Sequence, residues 1–208
     1  MIFGRKRPVA EPSYDIELRD AVKRLENRSY TTYKARLKTH QRLIRRSNSW
    51  NASLIALATS TTISSVGLLV NKGMYGAGGD ALMVVLAILS LVASLVVSSV
   101  NYGARSRAME ANYKKIQQIS LLAENISLTN PEARQRFREA LKEYEMAVDS
   151  SENHSEADYY RSLVDYKKVQ GARKQVWRDS LISLAPYITL SIPVGLVVPF
   201  VIWFINGV

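Results

Sequence analysis

Four groups of residues in this 208-residue chain have the types and spacings that chemistry uses. The first is Glu152-Asn153-His154, with Asp158, Tyr159 and Tyr160 just beyond. A histidine among carboxylates can move protons or hold a charged ligand, but no nucleophile or metal-ligand set accompanies it. The segment therefore reads either as a capped loop between helices or as a corner that senses a ligand or docks a partner. His40 and His154, the two histidines, stand in different charged blocks, so a histidine metal site is not expected. Without cysteine there is no disulfide, thiolate zinc site, iron-sulfur cluster or thiol nucleophile. No catalytic residue, metal or cofactor is expected, and the chain does not read as an enzyme.

The second group is hydroxylic. Ser53, Ser60 and Ser64, with Ala56 and Gly67, make one face of small residues, and Ser90, Ser94 and Ser98 recur with Ala87 and Asn101 at steps of three and four. Small faces let helix backbones approach closely and hydroxyls hydrogen-bond between helices. The same hydroxyls can line a water-filled path when several copies assemble. The third group is basic: Arg42, Arg45 and Arg46, then Arg105 and Arg107, then Lys114 and Lys115. These cations suit anionic lipid heads and the inner mouth of a pore. With Tyr30, Tyr33 and Tyr113 they also suit nucleic acid, by pairing with phosphates and stacking on bases. The fourth group, the glycines of residues 71–80, lacks the Gly-Lys-Ser/Thr ending of a phosphate-binding loop and reads as a flexible hairpin.

The elements that position these groups follow from where charge is missing. Arg46 and Lys72 bracket 25 uncharged residues, Asp80 and Arg105 bracket 24, and no charge follows Asp179. A bilayer core needs roughly 20 apolar residues per helix, so the chain reads as a membrane protein. No Asp, Glu, Lys, Arg or His lies inside these runs, against proton-coupled transport or voltage sensing. Thirteen Lys/Arg against five Asp/Glu between Arg5 and Arg46, and fourteen against twelve between Arg105 and Asp179, place both blocks in the cytoplasm by the positive-inside rule. The first hydrophobic run begins near Ala52, too late for a cleaved secretory signal, so full length is expected. Trp50, Tyr102 and Trp177 fall near the inner interface and Tyr75 and Trp203 near the outer one.

Ser13 as an N-cap, Asp15 and Glu17 in a first turn, and Leu18, Val22, Leu25, Tyr33, Leu37 and Ile44 at helical spacing predict a long helix. With no proline or glycine from Tyr14 to Val66, it runs straight into the first span. The second span is expected to continue past Tyr102 to about Asn125. Asn130-Pro131-Glu132 starts a helix to about Val148, and Ser155 with Asp158 opens another toward Trp177. Pro186, Pro193 and Pro199 interrupt the last run, which either spans or is kinked and re-entrant. The expected division is a disordered basic N-terminus over 1–12, a cytoplasmic stalk helix over 13–50, a transmembrane hairpin over 51–104 with spans near 51–70 and 81–101, cytoplasmic helices over 105–180, and a third transmembrane helix over 181–205. The fold class is an all-α membrane protein: a transmembrane helical hairpin with long cytoplasmic helical extensions and a third, C-terminal transmembrane helix.

Tyr33-Lys34-Ala35-Arg36-Leu37 through Arg42-Leu43, the paired spans with a short loop, and Arg105 through Asn112-Tyr113 with Ile116-Gln117 resemble the SLATT family, the SMODS- and SLOG-associating two-transmembrane effectors. The likeness covers roughly residues 13 to 128. Glu152-Asn153-His154 with Asp158-Tyr159 is similar to the subfamily encoded beside reverse transcriptases, which extends it toward residue 180. The resemblance implies an antiviral effector of a bacterial conflict system. Such an effector assembles as a homo-oligomer and forms a pore or disrupts the inner membrane, an abortive infection, when a reverse transcriptase or nucleotide-signal-producing partner reports phage. The other reading, from charge alone, is a membrane-anchored module that tethers nucleic acid or a partner enzyme through its basic helices.

Overall fold

The computed structural model describes residues 13–163 and 165–206, and the basic N-terminus expected over 1–12 lies outside them. Among the described residues there is no strand. The order is α1 (Ser13–Val70), α2 (Gly79–Val100), α3 (Tyr102–Glu124), α4 (Ala133–Asp149), α5 (Glu156–Ser162), a 3-10 turn (Tyr166–Lys168), α6 (Ala172–Ile182) and α7 (Ala185–Asn206). Three helical stretches are long and apolar enough to cross a membrane, in α1, in α2 and in α7. At about 1.5 Å per residue, the 22 residues of α7 span roughly 33 Å, enough for a hydrocarbon core.

The chain divides into two compact units whose segments alternate along it: Met1–Leu37 with Ala108–His154, and Lys38–Arg107 with Ser155–Val208. In the first unit, Leu25 of α1, Ile116, Ile119 and Ala123 of α3, and Ala140, Tyr144 and Ala147 of α4 share one apolar core. α3 and α4 contribute at steps of three and four, the spacing that gathers side chains on one helical face. Thr32 and Tyr144 share a hydrogen bond at 2.8 Å, and the Arg28 guanidinium lies 5.4 Å from the Tyr144 ring centroid. Arg36, 1% exposed, closes the end of α4. It donates to the carbonyls of Ala147 at 3.1 Å and Val148 at 2.9 Å and to Ser151 Oγ at 2.9 Å. Asn112 Oδ1 accepts from the same guanidinium, while its Nδ2 donates to Ala147 O at 2.6 Å. Helix ends leave carbonyls without intrahelical donors, and these two side chains supply them. Burial lowers the Arg36 pKa from its ordinary value, yet a guanidinium does not deprotonate in proteins, so a cation is held here.

The second unit contains the apolar helices. The small face of α1 lies against α7: Ser53 Oγ donates to Pro186 O at 2.6 Å, Ser64 Oγ to Leu196 O at 3.3 Å, and Tyr75 Oη to Leu196 O at 2.6 Å. A Cβ on Gly67 would come within 2.9 Å of the Phe200 ring, so glycine sets how closely α7 approaches there. Leu57, Leu68, Met83, Leu86 and Leu196 form a smaller core beside Tyr75. Pro193 and Pro199 sit inside α7, which remains helical through both, so the last run is a single helix of spanning length.

Two expectations are corrected. The second span does not run on past Tyr102 unbroken: Asn101 adopts φ 49°, ψ 48°, ending α2, and its Oδ1 accepts from Ala104 N at 3.3 Å to start α3. Asparagine tolerates this left-handed conformation far better than most residues. The helix opened at Ser155 does not reach Trp177, because Leu163 is extended and Gly171 has φ +80°. The Tyr75 hydroxyl, just after α1, lies 2.8 Å from Ser64 Oγ and 2.6 Å from Leu196 O.

Candidate functional site

Asp158 is 0% exposed, a position a carboxylate tolerates only with partners. It sits at the third position of α5, where Ser155 caps the helix by accepting from Asp158 N at 3.2 Å and donating to Asp158 Oδ2 at 2.8 Å. Across from it, α1 offers Thr39 and Arg42, three residues apart on one face. Thr39 Oγ1 donates to Oδ2 at 3.0 Å, and Arg42 clamps both oxygens, with Nε to Oδ1 at 2.9 Å and Nη2 to Oδ2 at 2.7 Å. This two-point guanidinium-carboxylate pairing is the strongest geometry available to such a pair. Burial alone would raise the Asp158 pKa. The hydrogen bonds and charge of Arg42, with those from Ser155 and Thr39, outweigh it and hold the carboxyl below the ordinary 3.8, so Asp158 is an anion at neutral pH.

One turn along α1, Arg46 Nη2 donates to Asp179 Oδ1 of α6 at 2.8 Å. Arg46 also reaches Asp179 O at 3.2 Å and Ser183 Oγ at 3.1 Å. Arg161 joins the two pairs, with Nη1 2.7 Å from Asp179 Oδ2 and 3.8 Å from Asp158 Oδ1. The result is a clasp of alternating charge that fastens α5 and α6 to α1 immediately before its uncharged stretch. Next to it opens a cavity of about 600 Å³ whose lining includes Lys38, Arg42, Arg45, Arg46, Arg161 and Tyr187. Among the described residues five cations line it and no carboxylate does. Among the described residues Lys38 reaches the Gln41 amide, at 3.4 Å, and makes no ion pair, and Arg45 is exposed and makes none either. Such a cavity attracts anions.

The structure brings together Arg42, Arg45, Arg46 and Asp158 and sets the other sequence candidates elsewhere. Glu152, Asn153 and His154 belong to the first unit, so the proposed sensing loop is divided between units just before Ser155. Arg105 lies 6.0 Å from the Tyr102 ring centroid and Arg107 is exposed. Ser53, Ser60 and Ser64 are buried, with Ser60 Oγ donating to Leu57 O at 3.0 Å, whereas Ser90 is half-buried and Ser94 and Ser98 are exposed on α2. Among the described residues no group of His, Asp or Glu is arranged to hold a metal. Thr39, Arg161 and Asp179 were not anticipated. The steps of three and four that put Thr39 on one face of α1 with Arg42 and Arg46 could have found Thr39, while no local pattern marks Arg161 of α5 or Asp179 of α6 as partners of that face.

A family model described as SMODS and SLOG-associating 2TM effector domain family 5 matches residues 18–205. The match includes the proline-bearing α7 as well as the first two apolar helices. No curated protein and no solved structure matches the chain.

Proposed function

The chain belongs to the SMODS and SLOG-associating 2TM effector domain family 5, a family of membrane effectors of conflict systems, and from that premise we propose a gated permeability device of the bacterial inner membrane. The N-terminus and the charged helices face the cytoplasm, since both carry the excess of Lys/Arg. Several copies assemble, and a partner that makes a nucleotide signal, or a reverse transcriptase, triggers them. The observation that carries this reading is the double use of one helix face. Ser53 and Ser64 of α1 are satisfied by α7 backbone carbonyls and Ser60 by Leu57 O of α1 itself, and α7 continues from α6, which Arg46 and Arg161 tie down through Asp179.

In the resting state the clasp keeps α7 on α1 and the hydroxyls are occupied. A signal acting on α5 and α6 loosens Asp158 and Asp179 from their arginines, and α7 moves off. Ser53, Ser60 and Ser64 then face a path between copies together with Ser90, Ser94 and Ser98, and Arg42, Arg45 and Arg46 ring its inner mouth, with Arg105 and Arg107 beside them. A wall of hydroxyls without charges passes ions with little selectivity.

The test uses the full chain in liposomes, with dye release and single-channel current as readouts. Because Asp158→Ala opens the clasp without a trigger, it should leak where the wild type holds dye. Adding Ser60→Leu and Ser64→Leu should close it again. An inserted, helical Asp158→Ala protein that stays as tight as the wild type overturns the gating reading. Tight vesicles with strongly salt-dependent nucleic-acid binding would favour the anchored module instead.

A further inference from the structure

Beyond the basic cavity, a second hollow of about 920 Å³ follows the same seam of α1 and α7. On α1 the cavity ends at Ser49 and the hollow begins at Ala52, continuing through Ala56 to Ile63. On the other wall the cavity ends at Tyr187 and the hollow begins at Leu190, continuing through Val194 to Val201. Three residue steps separate them on each helix, about 4.5 Å of helical rise. The hollow is walled by aliphatic side chains, and its one buried hydroxyl, Ser60, is spent on Leu57 O. Along the faces of α1 and α7 that line both, a cation-lined chamber is thus followed within one helical turn by an apolar trough, with Tyr187 at the chamber's near end.

We propose that this composite hollow is a binding site for one anionic glycerophospholipid, its phosphate among Lys38, Arg45 and Arg46 and one acyl chain in the trough between α1 and α7. The cations decide between occupants. A span from a second copy could fill the trough, but the apolar helices of this chain are uncharged and would leave Lys38 and Arg45 without an anion. A soluble phosphate would pair with the cations and leave the trough empty. A zwitterionic lipid would bring a second cation into a chamber already holding five. An anionic phospholipid satisfies both halves. The site stands whether or not the protein conducts, because the lipid would join α1 to α7 in either case.

Native mass spectrometry of the full-length protein from detergent tests this, titrating phosphatidylglycerol or phosphatidylcholine of equal chain length. The wild type should retain phosphatidylglycerol at least roughly 20-fold more tightly, about fivefold for each of the two unpaired cations. Lys38→Gln with Arg45→Gln should erase that preference, while Arg45→Lys should keep most of it. Val194→Trp, which fills the trough, should weaken both lipids by roughly tenfold; Ala56→Leu replaces it if the tryptophan variant loses helical circular dichroism. Equal retention of the two lipids by the wild type overturns the proposal. So does displacement of phosphatidylglycerol by millimolar inorganic phosphate with no effect of the trough variants, which would mark a soluble-anion pocket. A trough variant that alters the copy number and leaves lipid retention intact would also overturn it, assigning the trough to a second copy. None of these readouts depends on leakage, so a silent channel assay leaves the proposal standing and a failed lipid assay leaves the gating reading standing.

Discussion

The two units hold their helices together with different balances of material, the second adding ion pairs and hydroxyl bonds to a smaller apolar core. The unit of α1's first turns with most of α3 and α4 buries leucine, isoleucine, alanine and one tyrosine, with a single buried cation at its margin. The unit containing the apolar helices joins α1 to its neighbours through carboxylates, guanidiniums and hydroxyls. Water explains the difference. Where helices are surrounded by water, burying apolar surface is the main driving force, at roughly 25 cal/mol per Å². In lipid, leucine gains almost nothing by touching leucine, so association rests on close packing and hydrogen bonds. At the membrane boundary, ion pairs with good geometry take over.

That contrast can be broken from either side. Asp158→Ala should have the largest effect, leaving Arg42 without its buried partner at a cost of about 3–5 kcal/mol. Hydrogen exchange should show lost protection in α5 and α6 with α4 unchanged. Ile116→Ala, in a fully buried position, should cost about 2–4 kcal/mol and show the reverse pattern, with α4 exposed and α5 protected. If either substitution melted both units together, the division by material would fail.

Acid gives a smaller and reversible version of the first break, since a protonated Asp158 keeps its carboxyl and loses only its charge. Its folded pKa lies below the ordinary 3.8, so its stabilising contribution is present above about pH 4 and is lost as pH falls through the folded value. A pH titration of α5 protection should show that loss in the wild type and a flat response in Asp158→Asn. The smallest effects belong to the hydroxyls. Ser53→Ala and Tyr75→Phe should each cost only about 0.6 kcal/mol in a bilayer, read as a modest change in steric trapping or in α7 crosslinking. A loss several times larger would mean that α1 and α7 are held by these bonds more than by fit around Gly67.

The sequence made the helices and their apolar stretches plain because a missing charge over 24 or 25 residues has one common cause. The serine faces were visible too, but their partner was not: that Ser53 and Ser64 meet carbonyls of α7 depends on which helices pair, a matter about 130 residues distant in the chain. Asp158 was legible as a helix-start residue and not as the centre of a clasp, since local capping and a distant arginine use the same carboxylate. Breaks were hardest. Asn101 sits inside a helical pattern and is read as one more polar position, whereas Gly171 carried a warning in its type that the apolar spacing around it obscured.

Helix α2 makes few contacts inside the chain, with Gly79, Met83 and Leu86 its buried residues and aliphatic side chains such as Ile88, Leu91 and Leu95 more than half exposed. A helix whose surroundings are solvent-like lipid places few demands on shape, so drift among Val, Ile and Leu along most of it should go unpunished over evolutionary time. Against that permissive background, any position of α2 that refused exchange would mark where a neighbour outside the chain touches it. The helix is thereby a recording surface for contacts that the folded monomer does not contain.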